Sequence, residues 1–381
     1  MSGPLSDLRI VEFSGQGPGP FAGGLLADFG ADVIRVDRPG QPLLPPEYDF
    51  YNRNKRSIAL DLKSAAGREA AVALVSAADV VIEGFRPGVM ARLGLGYDAC
   101  AAANPRLIYG SMTGWGQDGP MAMEAGHDIN YLALTGALHA IGYPDRPPAP
   151  PLNLVADLGG GGMYLAFGIL AAVHESRRSG RGQRVDAAMI DGVSHLMSAF
   201  MAFTQQGTWT ERRADNIVDG GSPDYGCYET ADGKHVAVGA IEPQFYAALL
   251  EVLGLDPAAI PDRAERANWP ALKQLFADRF RQRTRAEWEE AMAGRDACFS
   301  PVLSITEAWE HPQMRARAVH ERFGGLVHPA PAPRLSRTPG SLRRTTPAPG
   351  ENSREIWTDW GLPQALWDRL GGDGATPPAA G

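Results

Sequence analysis

Leu8-Arg-Ile-Val-Glu-Phe13 runs into Ser14-Gly-Gln-Gly17-Pro-Gly-Pro20 and then into Phe21-Ala-Gly-Gly-Leu-Leu-Ala-Asp-Phe29. A short apolar run, a glycine/proline turn and a longer segment of apolar and small residues make a strand–turn–helix unit. Working outward, Asp32–Asp37 and Ser57–Leu62 read as a second and third strand, and Ala65–Ala78 as a helix. Val80–Phe85 and Arg106–Met112 read as further strands, Met163–Arg178 and Ala187–Phe203 as two long helices. Strands alternating with helices predict an α/β layer with a mainly parallel sheet.

The turn itself imitates a dinucleotide fingerprint, because it follows a strand, opens a helix and is followed by an acidic residue, Asp37, at the end of the next strand. The third glycine of that pattern falls on Pro20, which has no amide to offer a pyrophosphate. The competing reading is a tight strand-to-helix turn with Pro20 at the first helical position. In both, small residues let something approach the backbone closely.

Beyond Asp219-Gly-Gly-Ser-Pro223 the pattern changes. Gly226–Thr230 and His235–Ala240 flank Ala231-Asp-Gly-Lys234, a hairpin with an Asp-Gly turn. Helical segments follow at Pro243–Leu253, Trp269–Arg281 and Arg285–Ala293, which together predict a separate α+β domain. His328–Gly350 is rich in Pro, Ser, Thr and Arg and suits a surface-hugging linker; Asn352–Leu370 reads as a last helical segment.

Across 381 residues the 36 Lys and Arg are outnumbered by 44 Asp and Glu, a net charge of −8, which argues against a nucleic-acid partner. Only Lys55, Lys63, Lys234 and Lys273 are lysines; the remaining basic residues are arginines. Three scattered cysteines, Cys100, Cys227 and Cys298, suit a reducing compartment rather than a disulfide framework, and none is paired at metal-ligand spacing. The N-terminus has no secretory pattern, and the longest apolar run, Met163–Val173, is about half of what spans a bilayer. A cytoplasmic protein with no membrane partner is the expectation.

Three places carry chemistry. His127, in Gly126-His-Asp-Ile-Asn-Tyr131, has a side chain suited to proton transfer near neutral pH, or else packs or caps, with Asp128 and Asn130 as caps of a helical Leu132–Ile141. Asp157 precedes Gly159–Gly162 and an apolar helix. It is an N-cap or a functional carboxylate, and the glycines suit a turn that exposes amides to an anion or a thioester oxygen. Glu242 ends the His235–Ala240 strand before Pro243 and, standing alone, would be a solvated side chain. Basic residues recur in the first hundred, at Arg35, Arg38, Arg53, Lys55, Arg56, Lys63, Arg86 and Arg92. Several fall at strand-to-loop transitions, where α/β sheets present ligand loops, and they make either a solvated face or a site for an organic phosphate.

The sequence resembles the alpha-methylacyl-CoA racemases of the class III CoA-transferase superfamily from about Leu5 to Trp360. The resemblance is carried by Pro18-Gly-Pro-Phe21, Ala27-Asp-Phe-Gly-Ala-Asp-Val33, Glu83-Gly-Phe-Arg-Pro-Gly-Val89, Gly126-His-Asp-Ile-Asn-Tyr-Leu-Ala-Leu134, Pro151-Leu-Asn-Leu-Val-Ala-Asp157 and Gly239-Ala-Ile-Glu-Pro-Gln-Phe-Tyr246. Arg38-Pro, Asn104-Pro-Arg-Leu-Ile-Tyr109, Asp296-Ala-Cys-Phe-Ser-Pro-Val-Leu303 and Pro331-Ala-Pro-Arg334 complete it. Together these motifs are specific; no single one is.

The resemblance implies epimerisation at C2 of 2-methylacyl-CoA thioesters through an enolate. His127, supported by Glu242, would act on one face and Asp157 on the other, with the Asp157 amide as oxyanion donor. Arg38, Lys63, Arg86, Arg92 and Tyr131 would hold coenzyme A, and Met189, Met197 and Met201 would be core residues bordering the acyl pocket. No metal or nicotinamide is implied; coenzyme A is part of the substrate. The implied fold is an interlocked homodimer with shared active sites: a Rossmann-like large domain (1–190 and 320–360), a linker helix (191–217), a small α+β domain (218–319) and a tail (361–381). Two alternatives stand beside it. One is a CoA-transferase in which Asp157 attacks the thioester; the other is a noncatalytic acyl-CoA-binding protein.

Overall fold

A computed structural model describes residues 3–13, 15–40, 42 and 44–371; of the expected tail, 372–381 lie outside the described residues. The chain forms two compact units, one of Met1–Thr135, Pro151–Met197 and Ala318–Gly381, the other of Gly136–Pro150 and Ser198–Arg317.

In the first unit six parallel strands make one sheet: β1 (Arg9–Phe13), β2 (Asp32–Asp37), β3 (Arg56–Ala59), β4 (Val80–Glu83), β5 (Ile108–Thr113) and β6 (Gln183–Ala188), ordered β3-β2-β1-β4-β5-β6. Val11 sits in register with Ile34 on one side and Val81 on the other, and all three are fully buried. Buried apolar residues side by side across three neighbouring strands suit a parallel sheet covered on both faces. The order reverses direction between β1 and β4, the Rossmann arrangement, whose ligands bind beyond the carboxyl ends of the strands at that reversal. The α/β expectation is borne out.

Several local expectations are not. Helix starts at Pro18, so Pro18 rather than Pro20 occupies the first helical position. Gln183–Ala188, which begins polar and exposed and ends in the buried Ala187 and Ala188, is the edge strand β6, and the expected Ala187–Phe203 helix is two helices, Met189–Leu196 and Ser198–Gln206. An edge strand pairs on one side only, so β6 needs little of the apolar signal that marks β1 or β4. Gly136, at φ 83°, divides the expected Leu132–Ile141 helix into Asp128–Leu134 and Ala137–Ala140. The segment 361–371 is not a tail: Gln364–Arg369 is helical, and Leu366 and Trp367 pack with Ile356 and Trp357 into the core that holds Val11 and Ile34.

The glycine-rich stretch departs furthest from expectation. Leu154–Met163 winds as a π-helix and continues into the Tyr164–Ser179 helix, so Gly159–Gly162 form no turn. A side chain at Gly160 would meet Val193 and Met189, and one at Gly162 would strike Phe21 and Pro18. The glycines serve close packing against the helices that start at Pro18 and Met189. The combined 26-residue helix is long and apolar enough, by length and composition, to cross a membrane. It packs on β5 and β6, with Leu165, Ile169 and Ala172 buried, while Met163, Phe167 and Leu170 form an exposed stripe.

A hairpin not foreseen from sequence, β10 (His320–Phe323) with β11 (Leu326–Pro329), turns through Gly324 and Gly325, both at positive φ. The second unit carries an antiparallel sheet of β7 (Tyr225–Glu229), β8 (His235–Gly239) and β9 (Phe299–Val302). Gly233 takes a φ of 71° in the β7–β8 turn, as the Asp-Gly pair predicts. Helices Pro243–Leu253, Trp269–Phe280 and Arg285–Met292 pack on this sheet around Val236, Phe276 and Phe280.

Candidate active site

A cavity of about 1200 Å³ opens in the first unit beyond the carboxyl ends of β1, β2, β4 and β5. Gly15–Pro20 after β1, Arg38 after β2, Gly84–Pro87 after β4 and Gly114–Trp115 after β5 all line it. This is where strand-order reversal leaves a crevice.

His127 and Asp157 both line this cavity. His127 is the exposed residue ahead of the Asp128–Leu134 helix; its amide donates to Asn130 Oδ1 at 3.0 Å and its carbonyl accepts from the Asn130 amide at 2.8 Å. Its approach is anchored from behind. The Tyr131 hydroxyl donates to the Gly126 carbonyl at 2.5 Å, and the Tyr131 ring meets Trp115 edge-on at 4.7 Å between centroids. A Cβ at Gly114 or Gly126 would run into the Tyr131 ring, so both glycines are there to admit it. Tyr131, expected to hold coenzyme A, borders the cavity but spends its hydroxyl on this anchor.

Asp157 is half-buried on the π-helical segment, with Asn153 Nδ2 donating to its Oδ2 at 3.3 Å. Burial lifts its carboxyl above the ordinary aspartate range. The Asn153 bond pulls it back, the negative Asp128 raises it, and His127 lowers it. Gly17, at φ 68°, takes a backbone conformation that favours glycine, and a Cβ there would lie 3.3 Å from Asp157 Oδ2, a tight contact. The expectation that the Asp157 amide would serve an oxyanion is corrected: that N–H, like the N–H of Ala156, donates to Asp128 Oδ2 at 2.8 Å. Asp128 is thus not the cap of its own helix that its position suggested.

Under the cavity floor Lys55 Nζ donates to both Glu12 oxygens and to Asn52 Oδ1 at 2.8 Å, and to the Pro20 carbonyl at 2.9 Å. Burial raises the Glu12 carboxyl and lowers the Lys55 ammonium, and each partner opposes the other's shift. A Cβ at Gly23 would collide with Glu12.

Arg38 and Arg86 are exposed on the cavity lining. The Arg86 loop is braced by Glu83, whose Oε2 accepts the Phe85 amide at 2.9 Å. Lys63 and Arg92 are exposed but do not line the cavity. Met189 does, whereas Met201 lies in the second unit, 44% exposed. Glu242 also belongs to the second unit, exposed at the start of the Pro243–Leu253 helix, where its carbonyl accepts the Tyr246 amide at 3.0 Å. The nearby Cys298 thiol, although exposed, is raised by partial desolvation and by the charges of Glu242 and Asp296.

Sequence reasoning missed Tyr51, Trp115 and Asn153, all on the lining. The placement of Trp115 between Gly114 and Gly116 at the end of a strand was the available signal. No group of three or more His, Cys, Asp or Glu is arranged to hold a metal among the described residues.

Residues 5–353 match the model of CoA-transferase family III. The chain is 47% identical to an alpha-methylacyl-CoA racemase of Mus musculus and 44% identical to one of Homo sapiens, over 94% of each chain in both cases. A crystal structure of a CAIB/BAIF family protein from Brucella suis superposes with a TM-score of 0.81 at 30% identity, over 94% of this chain and 100% of that one. A family model spanning nearly the whole chain and relatives of this identity lead to one conclusion: the chain belongs to CoA-transferase family III.

Proposed function

We propose that this protein is an enzyme that epimerises 2-methylacyl-CoA thioesters at C2. The observation that carries this is the presence of His127 and Asp157 on one cavity at the carboxyl edge of the sheet, together with the racemase relatives. One of the pair removes the C2 proton, leaving an enolate; the other returns a proton to the opposite face, and the roles reverse for the opposite direction. A carboxyl lifted above its usual range is better matched to proton exchange near neutral pH than an ordinary aspartate.

Arg38 and Arg86 bind coenzyme A phosphates from the cavity edge, and Lys63 and Arg92 meet the part of the coenzyme that extends beyond it. Arginine's planar fork suits such phosphates. The active species is a homodimer in which Glu242 of the partner subunit holds the His127 imidazole in its tautomer and stabilises the imidazolium. The exposed stripe of Met163, Phe167 and Leu170 supports association, since apolar surface of this kind marks interaction sites.

CoA transfer, with Asp157 as nucleophile, is the second reading, favoured by the family's own name. Incubation of a 2-methylacyl-CoA in deuterated water separates the two. Deuterium should enter C2 with no acyl acceptor present. Exchange of CoA onto free carboxylates without labelling at C2 would replace the racemase reading by the transferase one.

A further inference from the structure

We infer that Asp128 is a positioning residue: its carboxylate clamps the backbone of Asp157 and so sets the spacing between the two acid/base groups. The inference rests on the assignment of His127 and Asp157 as the proton-transfer pair.

Asp128 directly follows His127 and is the first residue of the Asp128–Leu134 helix. A carboxylate there ordinarily faces solvent. This one is 7% exposed, and its Oδ2 accepts two amides from 28 and 29 residues further on, Ala156 N–H and Asp157 N–H, each at 2.8 Å. Its Oδ1 has no hydrogen-bond partner among the described residues. A buried carboxylate with one oxygen unsatisfied is costly, and charge-assisted bonds to two adjacent amides are what offset that cost.

The clamp is mechanically direct. His127 is joined to Asp128 by a peptide bond, and its backbone is held by Asn130 and, through Gly126, by Tyr131. Asp157 is held through its own amide. One side chain therefore bridges the two reacting groups, and a shift in it moves one against the other. The clamp also places a negative charge beside Asp157, opposing its ionisation. The other groups facing Asp157 are His127, the Asn153 amide, and the Tyr51 and Tyr131 hydroxyls, whose own ionisation Asp157 opposes.

Asp128→Asn and Asp128→Ala test this through C2 exchange of a 2-methylacyl-CoA in deuterated water, after thermal melts establish that both variants fold. Asparagine keeps one oxygen for the two amides but no charge; alanine keeps neither. Asp128→Ala should lose about ten- to a hundredfold in kcat, the usual effect of a small misplacement, with KM within about twofold. Asp128→Asn should recover most of that loss, and the limb of its pH–rate profile that follows Asp157 should move to lower pH. In Asp128→Ala, hydrogen exchange at the Ala156 and Asp157 amides should accelerate.

Wild-type kcat in Asp128→Ala, an unmoved limb in Asp128→Asn, or unchanged protection of the two amides would each overturn the inference. If the wild-type protein transfers CoA and does not label C2, the racemase assignment fails by itself. The same variants are then read by transferase kcat and by amide exchange, since a nucleophilic Asp157 needs the same clamp.

Discussion

The Lys55 side chain is fully buried, and its ammonium is the only positive charge in contact with the buried carboxylate of Glu12 among the described residues. Removing one partner of such a pair is far more damaging than the pair is stabilising, because the remaining charge is left buried. Lys55→Met should therefore destabilise the fold by about 3–5 kcal/mol, measured by denaturant unfolding near pH 7. The deficit should depend on pH with a definite sign. Burial already raises Glu12 above its ordinary value, and loss of Lys55 removes the main opposing influence. A carboxyl whose folded-state pKa exceeds its unfolded one stabilises the fold below the unfolded value and loses that contribution as pH rises through the folded value. The variant should thus approach wild-type stability as pH falls toward the range where Glu12 protonates. A deficit that grows on acidification would show that Glu12 is not the stranded charge. At this scale His127, Asp157, Arg38 and Arg86 were legible from residue type and motif. The Glu12–Lys55 pair and the reach of Asp128 were not, because each joins residues distant in the chain.

The elements turn on close approach between helices. Gly192, in the Met189–Leu196 helix, lies so near the Gly160 backbone that a Cβ there would collide with the Gly160 carbonyl. Gly192→Ala should force the two segments apart and cost about 1–3 kcal/mol, the range for overpacking a dense contact, read as a lowered melting temperature. Since Asp157 rides on one segment and Met189 borders the cavity from the other, the rate of C2 exchange should fall as well. Strands β1, β2 and β4 could be read from sequence because burial on both faces makes them mostly apolar, interrupted within β1 and β2 only by the ion-paired Glu12 and Arg35. Strand β6 could not, being a polar edge. The glycine run misled for a related reason: propensity weighs glycine against helix, whereas packing against Phe21, Val193 and Met189 makes glycine the residue that fits.

For the whole molecule, the proposed dimer makes a prediction that a self-contained subunit does not. His127→Ala and Glu242→Ala should each be inactive alone. If the partner subunit's Glu242 serves each His127, unfolding and refolding the two variants together restores one intact site in every mixed dimer, about a quarter of wild-type activity under random pairing. No recovery in a mixture verified to contain mixed dimers would place both residues in one subunit's site.

What the sequence by itself determined is the alternation that makes a parallel α/β sheet, the hairpin of the smaller unit and the chemical character of the residues on the cavity. All of these follow from side-chain periodicity and local turn geometry. Tertiary structure alone decided which of those residues share a cavity, that Asp157 lies within a helix rather than ahead of one, and that its amide is already taken by Asp128. Those outcomes depend on contacts between segments separated by tens of residues. There, burial and hydrogen-bond satisfaction over the whole fold outweigh any local preference of the chain.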